Sequence, residues 1–442
     1  MSFPTYPAYK DSGVEWLGAV PEHWGVSPLK WLAEQVTDKA TTSEFQVGLE
    51  NIEGWTGRFI ETDTEFAGDG IAFRQEDILF GKLRPYLAKV WLADRSGQAV
   101  GDFFVLRPRA VNGDFLHKYI LTPTVIEDLN ASTIGAKMPR VGWEDMAALA
   151  VSLPPYKEQT QIARFLDHET ARIDALIAEQ QCLIELLKEK RQAVISHAVT
   201  KGLDPTVPMK HSGVEWLGEV PAHWRAVRLR HCLVDALTYG ANEPSDEANL
   251  EHPRYIRITD LNDDGTLSAE TYKSLPPEKA EPYMLEEGDV LFARSGATVG
   301  KSFLYSREYG PACYAGYLIR ARVNKRALIP MYLWMCTQSR QYEQFIGESN
   351  IQATIQNVSA EKYGNMWIAL PEIEEQEKIL AELEIQLSQF KSLMETSVGA
   401  LVLLQERRSA LISAAVTGKI DVRSWQPPAS TQAPKLEVAE AN

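Results

Sequence analysis

The stretch that decides the fold is residues 159–200, QTQIARFLDHETARIDALIAEQQCLIELLKEKRQAVISHAVT. It contains neither proline nor glycine, and its apolar residues recur about twice in every seven positions. These seam positions are Ile162, Leu166, Ile173, Leu176, Leu183, Leu187 and Val194. The spacing predicts one long helix with a narrow apolar seam, and such a seam needs a partner helix.

The chain contains the same helix a second time, 217 residues later. Its seam positions are Ile379, Leu383, Phe390, Leu393, Ala400, Leu404 and Leu411. At 1.5 Å per residue, a seam of about 33 residues is roughly 50 Å long. Because both seams share one length and one register, the two helices are predicted to pair with each other.

A globular module precedes each helix, and the two modules are related in sequence. Ser12 to Trp24 recurs as Ser212 to Trp224 with 11 of 13 positions identical, and both copies end in Pro-x-His-Trp. The strand-like segment that begins at Asp77 recurs 212 residues later, and Glu158-Gln159 at the helix start recurs after 217. Insertions are therefore confined to the modules, while the helices keep one length.

Chain geometry predicts the direction of the helix pair. The second module begins where the first helix ends and finishes where the second helix begins. A domain of about 150 residues has a radius of gyration near 15 Å, too small to carry the chain back along a rod of roughly 50 Å. We therefore expect an antiparallel pair with one module at each end.

The expected boundaries follow from the repeat. They are 1–156 for the first module, 157–208 for the first helix and its linker, 209–372 for the second module, 373–418 for the second helix, and 419–442 for a C-terminal tail that we expect to be disordered.

The composition is that of an ordinary globular protein, with 45% hydrophobic and 24% charged residues among 442. No apolar run predicts a membrane span, and the N-terminus lacks the pattern of a secretion signal. The four cysteines and eight histidines show no paired or metal-ligand spacing, so we expect free thiols, a cytoplasmic location and no metal site. The net charge of −15 argues, by itself, against nucleic acid as a partner.

Basic residues are nevertheless concentrated in the middle of each module. Residues 294–340 contain eight lysines and arginines against one acid, and residues 81–109 contain six against two. Aromatic residues such as Tyr86, Trp91, Tyr305 and Tyr317 are interleaved with them. Basic residues mixed with aromatic ones suit contact with phosphates and base edges, and a solvated strand-and-loop surface is the alternative interpretation.

Two segments approach catalytic motifs and fail at the deciding position. Residues 295–302 end in Gly-Lys-Ser but begin with serine where a phosphate-binding P-loop requires glycine. Residues 153–156, Leu-Pro-Pro-Tyr, have leucine where an amino-methyltransferase needs a side chain that accepts a hydrogen bond. No glycine-rich S-adenosylmethionine loop, Glu-x-Lys sequence or G-x-S-x-G elbow is present. We therefore expect no catalytic residue and no cofactor on this chain.

Together these features resemble the specificity subunits of type I restriction–modification enzymes. The resemblance rests on the segment Gly13–Trp24 and its repeat, on Asp77–Tyr86 and Val290–Lys301, on Leu-Pro-x-x-x-Glu-Gln at each helix start, and on Ser-x-Ala-Val-Thr at each helix end. It covers about residues 9–422. The predicted fold class is accordingly α+β, with two homologous mixed α/β target-recognition domains separated by two long helices that form an antiparallel coiled coil.

The resemblance implies a function for each part. Each target-recognition domain would read one half of a bipartite site in double-stranded DNA. The coiled coil would set the spacing between half-sites and dock two methyltransferase (M) subunits, and motor-nuclease (R) subunits can join such a complex. On this interpretation the chain is non-catalytic, and S-adenosylmethionine, ATP and Mg are expected only on the partner subunits. The alternative is a two-headed coiled-coil adaptor that binds proteins and no DNA, which the net charge favours.

No family motif identifies the base-reading residues, so the candidates rest on charge and on position in the repeat. In the first module they are Lys82, Arg84, Lys89, Lys137 and Arg140. In the second module they are Arg294, Ser295, Lys301, Gln352, Thr354 and Asn357. Amide side chains in residues 352–357 suit adenine edges, while capping of a turn is the alternative role of this segment.

Overall fold

The structure is a computed structural model and describes residues 3–40, 45–62, 70–135, 137–244, 248–262, 264–350 and 357–427. The chain divides into two compact units. Unit 1 combines Met1–Gln181 with Gly399–Asn442, and unit 2 is Cys182–Val398. Each unit therefore contains one module together with part of each long helix.

The first module begins with short strands and ends with one long helix. Its strands are β1 (Tyr9–Asp11), β2 (Ala19–Pro21), β3 (Gly25–Pro28), β4 (Ala33–Val36), β5 (Gln46–Val47), β6 (Ile71–Phe73), β7 (Ile78–Gly81), β8 (Val90–Leu92), β9 (Gly97–Ala99), β10 (Phe103–Pro108) and β11 (Ala150–Leu153). Its helices are α1 (Gly113–Ile120), α2 (Pro123–Ala131), α3 (Trp143–Ala148) and the long α4 (Tyr156–Lys201). Local sequence explains the helix starts, since Asn112 caps α1 and Pro123 opens α2.

A four-stranded antiparallel sheet in the order β4-β10-β7-β8 is the centre of this module. Successive side chains of a strand point to opposite faces, and here both faces are covered. Phe104 and Leu106 of β10 join the core that contains Phe115 of α1. Phe103 and Val105 join a second core beneath β5, β9 and β6. Burial on both faces explains why β7 and β10 read as continuous apolar runs.

The second module repeats this plan. Its strands are β12 (Met209–His211), β13 (Glu219–Pro221), β14 (Arg225–Arg228), β15 (Thr238–Tyr239), β16 (Arg254–Ile256), β17 (Val290–Ala293), β18 (Ser302–Leu304), β19 (Ala312–Tyr314), β20 (Leu318–Ala321) and β21 (Trp367–Leu370). Its helices are α5 (Pro277–Ala280), α6 (Pro330–Cys336), α7 (Arg340–Asn350), α8 (Ala360–Gly364) and the long α9 (Ile373–Val416).

The strand pairing of the two modules corresponds sheet by sheet. The order β15-β20-β17-β18 matches the central sheet of the first module, and β14-β21 matches β3-β11. The parallel pair β16-β19 matches the parallel pair β5-β9. The internal duplication found in the sequence is therefore a duplication of topology.

The long helices are antiparallel where they meet inside each unit. In unit 1 the Arg408 side chain donates to Asp174 at 2.8 Å, while Ser152, just before α4, donates to the carbonyl of Val416 at the end of α9. In unit 2 the last turns of α4 share a core with the first turns of α9, through Ile195 and Ile379 among others. The α+β fold with two homologous modules and an antiparallel coiled coil is confirmed.

The seam prediction is wrong at three positions. Leu176, Leu183 and Leu393 are 43%, 41% and 53% exposed, whereas the neighbouring Ile177, Ile184 and Met394 are half-buried. After Ile173 and Phe390 the seam advances by four residues instead of three, which keeps a helix of 3.6 residues per turn facing its partner. The other predicted seam residues are buried or half-buried, namely Ile162, Leu166, Ile173, Leu187, Val194, Ile379, Leu383, Phe390, Ala400, Leu404 and Leu411.

The prediction of a disordered tail from residue 419 is wrong for residues 419–427. Val422 is 1% exposed, and the Trp425 ring lies 5.3 Å from that of Phe165 on α4. The backbone of Asp421 donates to the carbonyl of Pro4 at 2.7 Å. Residues 419–427 thus pack against residues of the first module and of α4 in unit 1. Residues 428–442 lie outside the described residues.

Candidate nucleic-acid interface

The aspartate that opens each Asp-x-Leu-Phe strand is buried and organises its sheet. Asp77 accepts two hydrogen bonds from Arg107, at 2.9 and 2.7 Å, and Asp289 accepts two from Arg322, at 2.8 and 2.7 Å. Two-point pairing of this kind fixes the geometry of both partners. Arg107 and Arg322 therefore stabilise the modules, and they add little to the charge that a ligand meets.

The Glu-Gln pair at each helix start joins the helix to its module. Gln159 is 2% exposed; its side chain accepts from the backbone of Asn112 at 2.8 Å and donates to Pro154 at 2.8 Å. Gln376 does the same with Ile329 at 2.9 Å and with Pro371 at 3.0 Å. One amide therefore links the start of the long helix and the end of the strand before it to the start of an earlier helix, which is α1 in the first module and α6 in the second.

The glutamate just before this glutamine, Glu158 in the first module, binds the His and Trp side chains of the Pro-x-His-Trp segment. Glu158 accepts hydrogen bonds from Tyr6 at 2.6 Å and from Trp24 at 3.1 Å, and His23 lies 2.8 Å from it. Burial, followed by the Glu158 carboxylate, raises the pKa of Tyr6. These repeated residues, which dominate the sequence likeness, are thus structural residues at the junction of module and helix.

A loop after α2 carries part of the predicted site in the first module. Ile134 and Arg140 exchange two backbone hydrogen bonds, at 3.0 and 3.1 Å, and Arg140 also pairs with Leu83 beyond β7. The backbone of Arg84 donates to Pro139 at 2.8 Å. Arg84 adopts the left-handed conformation, with φ of 51°, which is uncommon for a residue other than glycine and is concentrated at functional sites.

Four cations lie on or beside this loop, and we call them the first basic patch: Lys82, Arg84, Lys137 and Arg140. Arg84 and Lys137 are exposed. Asp102 accepts from Arg140 at 3.1 Å and lies 3.9 Å from the Lys82 amine. One carboxylate among four cations leaves the patch positive, as contact with a polyanion requires.

The second module has an equivalent surface, the second patch, made of Arg294, Ser295 and Asn357 with Tyr239 and Tyr317. Ser295 pairs with Asn357 as the corresponding residues do in the first loop. The Arg294 guanidinium lies 4.7 Å from the ring centre of Tyr239, and its Nε lies 3.4 Å from Asn357 Oδ1. Tyr239 and Tyr317 are 41% and 58% exposed. A guanidinium stacked on an aromatic ring keeps free N–H groups for a ligand.

Two predicted residues are engaged elsewhere. The Lys89 amine donates to the carbonyl of Leu49 at 2.6 Å, and the Lys301 amine donates to that of Leu261 at 3.5 Å. Both lysines are half-buried, and both partners lie 40 residues upstream. This favours an anchoring role for the pair over the phosphate contact expected from the sequence. Gln352 and Thr354 lie outside the described residues.

Sequence reasoning missed three exposed side chains of these surfaces. Tyr239 was overlooked because the alignment of the modules is weak around β15. Ile134 and Met138 are apolar, so an argument from polar and basic residues does not identify them. Their signal is present in the repeat, since Ile351 and Ile355 occupy the same positions 217 residues later.

Among the described residues we looked next for a metal site, a nucleotide site and a membrane-spanning helix. Among them no group of three or more His, Cys, Asp or Glu side chains is placed to hold a metal ion. The segment 295–302 connects β17 to β18 through a short 3-10 turn, whereas a P-loop leads from a strand into an α-helix. Within the described ranges no helix has the length and apolar character needed to cross a membrane.

Comparison with known proteins places these features in a family. The profile of the type I restriction modification DNA specificity domain matches residues 57–186 and 241–396. The EcoBI specificity subunit of Escherichia coli is 24% identical over 380 residues, which cover 83% of this chain and 78% of that protein. The MjaVIII specificity subunit of Methanocaldococcus jannaschii is 23% identical over 424 residues, covering 92% and 95%.

Solved structures share the fold. A chain from "Structural basis underlying complex assembly and conformational transition of the type I R-M system" superposes with a TM-score of 0.72 at 20% identity, covering 90% of this chain and 98% of that one. The HsdS subunit of Thermoanaerobacter tengcongensis gives a TM-score of 0.51 at 20% identity, with coverage of 91% and 98%. With two profile matches that span more than half of the sequence, one for each copy of the repeat, the chain belongs to the family of type I restriction–modification specificity (S) subunits.

Proposed function

We propose that this chain is the sequence-specific DNA-binding subunit of a type I restriction–modification complex, and that each module reads one half of a bipartite target. The observation that carries the proposal is the repeat of one loop-and-strand surface in both modules. The first basic patch and the second patch occupy equivalent positions, yet their side chains differ. Surfaces of one plan with different side chains suit two half-sites of different sequence.

We propose further that α4 and α9 set the number of unread base pairs and dock two M subunits, which R subunits can join. Support comes from apolar side chains at the surface of these helices. Leu176, Val402 and Leu403 in unit 1 are 43%, 49% and 66% exposed, and Leu186 and Ile385 in unit 2 are both 56% exposed. Exposed apolar patches of this kind mark protein interfaces.

The proposed role is non-catalytic. S-adenosylmethionine, ATP and Mg would be bound by the partner subunits, and the complex would work in the cytoplasm. The unsuitable shape of the P-loop-like segment supports this assignment. An adaptor without DNA contact would use the exposed leucines but would leave both patches without a role.

The decisive experiment maps methylated adenines in DNA from cells that express this chain with its M subunit. The expected result is one target made of two short half-sites with an unread spacer. A duplex turn is roughly 34–36 Å, and the seam length predicted from the sequence is longer, so the half-sites should lie more than one turn apart. A single short contiguous target would contradict the proposal, and unmethylated DNA despite an assembled complex would favour the adaptor.

A second experiment measures DNA affinity of the complex against salt concentration. Replacing Arg84 and Arg140 with alanine should weaken binding and reduce the slope of log affinity against log salt by about 0.9 for each lost phosphate contact. Arg294→Ala should act similarly in the other half-site. Arg172→Ala is the matched control, because this arginine is 61% exposed on α4 and paired with Glu169. An unchanged slope in the patch variants would exclude phosphate contact there.

A further inference from the structure

The loop beside the first basic patch presents two exposed apolar side chains, which phosphate contact does not explain. Ile134 is 79% exposed and Met138 is 53% exposed. They flank Lys137, which is itself exposed. One exposed aliphatic residue is ordinary, but two on one cationic loop indicate a surface that is covered when a ligand binds.

The base of the loop is held in place. Besides the pairing of Ile134 with Arg140, the backbone of Val141 donates to Lys82 at 3.1 Å. Gly135 has a φ of 102°, a conformation that glycine adopts without strain. Because these hydrogen bonds fix the backbone of the loop to the strand beside it, the backbone is preorganised, which lowers the entropic cost of a contact.

The second module contains the same apolar pair in its sequence. Ile351 and Ile355 stand at the positions of Ile134 and Met138, whereas Thr354 replaces Lys137. Residues 351–356 lie outside the described residues, so this support comes from sequence alone. The charge at the position of Lys137 changes between the modules, while both aliphatic positions are kept. A repeated aliphatic pair indicates a chemical group that both half-sites present.

Base edges present one apolar group in the major groove, the C5-methyl of thymine. With the first basic patch on the phosphates, the exposed Ile134 and Met138 side chains of the same loop are available to meet base edges. We propose that Ile134 and Met138 contact thymine methyl groups in the major groove and thereby select A·T pairs in the half-site of the first module. This inference rests on the proposed function and identifies the chemical feature that is read.

The test uses the complex of the full chain with its M subunit and duplexes that contain the mapped target. Each thymine of the first half-site is replaced in turn by uracil, which lacks only the C5-methyl. At one position or more, uracil should weaken binding roughly fourfold, the effect of one buried methyl-sized group. Ile134→Ala and Met138→Ala should bind the thymine duplex more weakly and should no longer distinguish thymine from uracil.

Val234→Ala is the control, because Val234 is an aliphatic side chain in unit 2 that is 62% exposed. It should keep the full uracil effect, and thermal unfolding shows that each variant is folded. The inference is overturned if uracil has no effect, if the loop variants keep the uracil effect, or if the half-site contains only G·C pairs. If uracil has no effect but the fluorescence of 2-aminopurine in the half-site rises on binding, the loop wedges between base steps. That result also overturns the inference. The proposed function fails by a different result, namely the absence of any split target.

Discussion

At the scale of single residues, the repeated polar positions divide into two groups with different roles. Gln159, Glu158 and Asp77 are buried, form hydrogen bonds inside unit 1, and recur in the second module. Arg84 and Arg140 lie at the surface, and asparagine replaces the second of them in the other module. The repeat therefore preserves the residues that build a module and varies those of the proposed DNA-binding surface.

The glutamine at the helix start offers a direct test of the first group. Gln159→Ala leaves the backbone N–H of Asn112 without its partner and should lower the free energy of unfolding by about 1–3 kcal/mol. Gln181→Ala, an exposed glutamine of the same helix, should stay within about 0.5 kcal/mol of the parent. Urea unfolding measures the free energy of unfolding of both variants. Equal losses would show that the buried amide of Gln159 stabilises the fold no more than an exposed one does.

His117 gives unit 1 a sensitivity to acid. Burial, followed by the charge of Lys118, lowers the pKa of His117 to about 4, from 6.5. The unfolded chain therefore takes up a proton below about pH 6.5 while the folded chain does not, so stability falls as the pH drops toward 4. His117→Gln should reduce this fall, as measured by urea unfolding between pH 7 and 4.5. Above pH 7 the two proteins should have the same pH dependence, and identical acid slopes would contradict the assignment.

Residue types alone predicted where the surfaces lie, but they did not predict how each cation is used. Charge predicts Lys82, Arg84 and Arg140, which come together where the segment after β7 meets the loop after α2. The same argument predicts Lys89, whose amine donates to a backbone carbonyl. A charged side chain has no signature of its partner in the sequence when that partner is a backbone group. Hydrophobicity identifies Ile134 and Met138 only when exposed apolar residues in loops are considered as well.

At the scale of elements, the long helices were predicted well because an apolar period of this length, present twice in the chain, fits little besides a pair of amphipathic helices. The helix starts were also predictable, since Leu-Pro ends a strand and proline suits the first turn. What the period did not determine was which of two adjacent apolar residues faces the partner. Leu176-Ile177 and Leu183-Ile184 both offer a choice, and the packing of the pair decides it.

Leu176 and Ile177 form a matched pair for testing the corrected seam. Ile177→Ala removes a half-buried side chain and should lower the free energy of unfolding by about 1–2 kcal/mol. Leu176→Ala removes a side chain that is 43% exposed and should change it by less than about 0.5 kcal/mol. Chemical denaturation distinguishes the two, and a larger loss for Leu176→Ala would restore the seam first predicted.

At the scale of the whole molecule, the duplication determined the architecture more than any single motif did. Two related modules and two helices of one length allow few arrangements. The antiparallel one follows because a module is too small to return the chain along the length of the helix. The division of the chain into units was not predicted. Both long helices change unit part of the way along, and a seam that is continuous in sequence gives no sign of such a boundary.

A truncation tests how unit 1 depends on the end of the chain. A chain that stops at Arg407 lacks Ile412, Val416 and Val422, which join the core around Trp24. We expect unit 1 to lose its cooperative unfolding transition and its protection from proteases, while residues of unit 2 stay protected. A chain that stops at Pro427 retains every described contact and should behave as the parent. Survival of unit 1 in the shorter chain would show that those contacts are dispensable.

The return of α9 to the first module also has a consequence for synthesis on the ribosome. Trp24 is synthesised before unit 2, but Gly418, which lies against its indole, is synthesised after unit 2. Unit 2 is one continuous stretch and can complete its packing while translation proceeds. The module that is made first therefore completes its packing last. A nascent chain released early exposes aromatic residues of that module, such as Trp24, to chaperones and proteases.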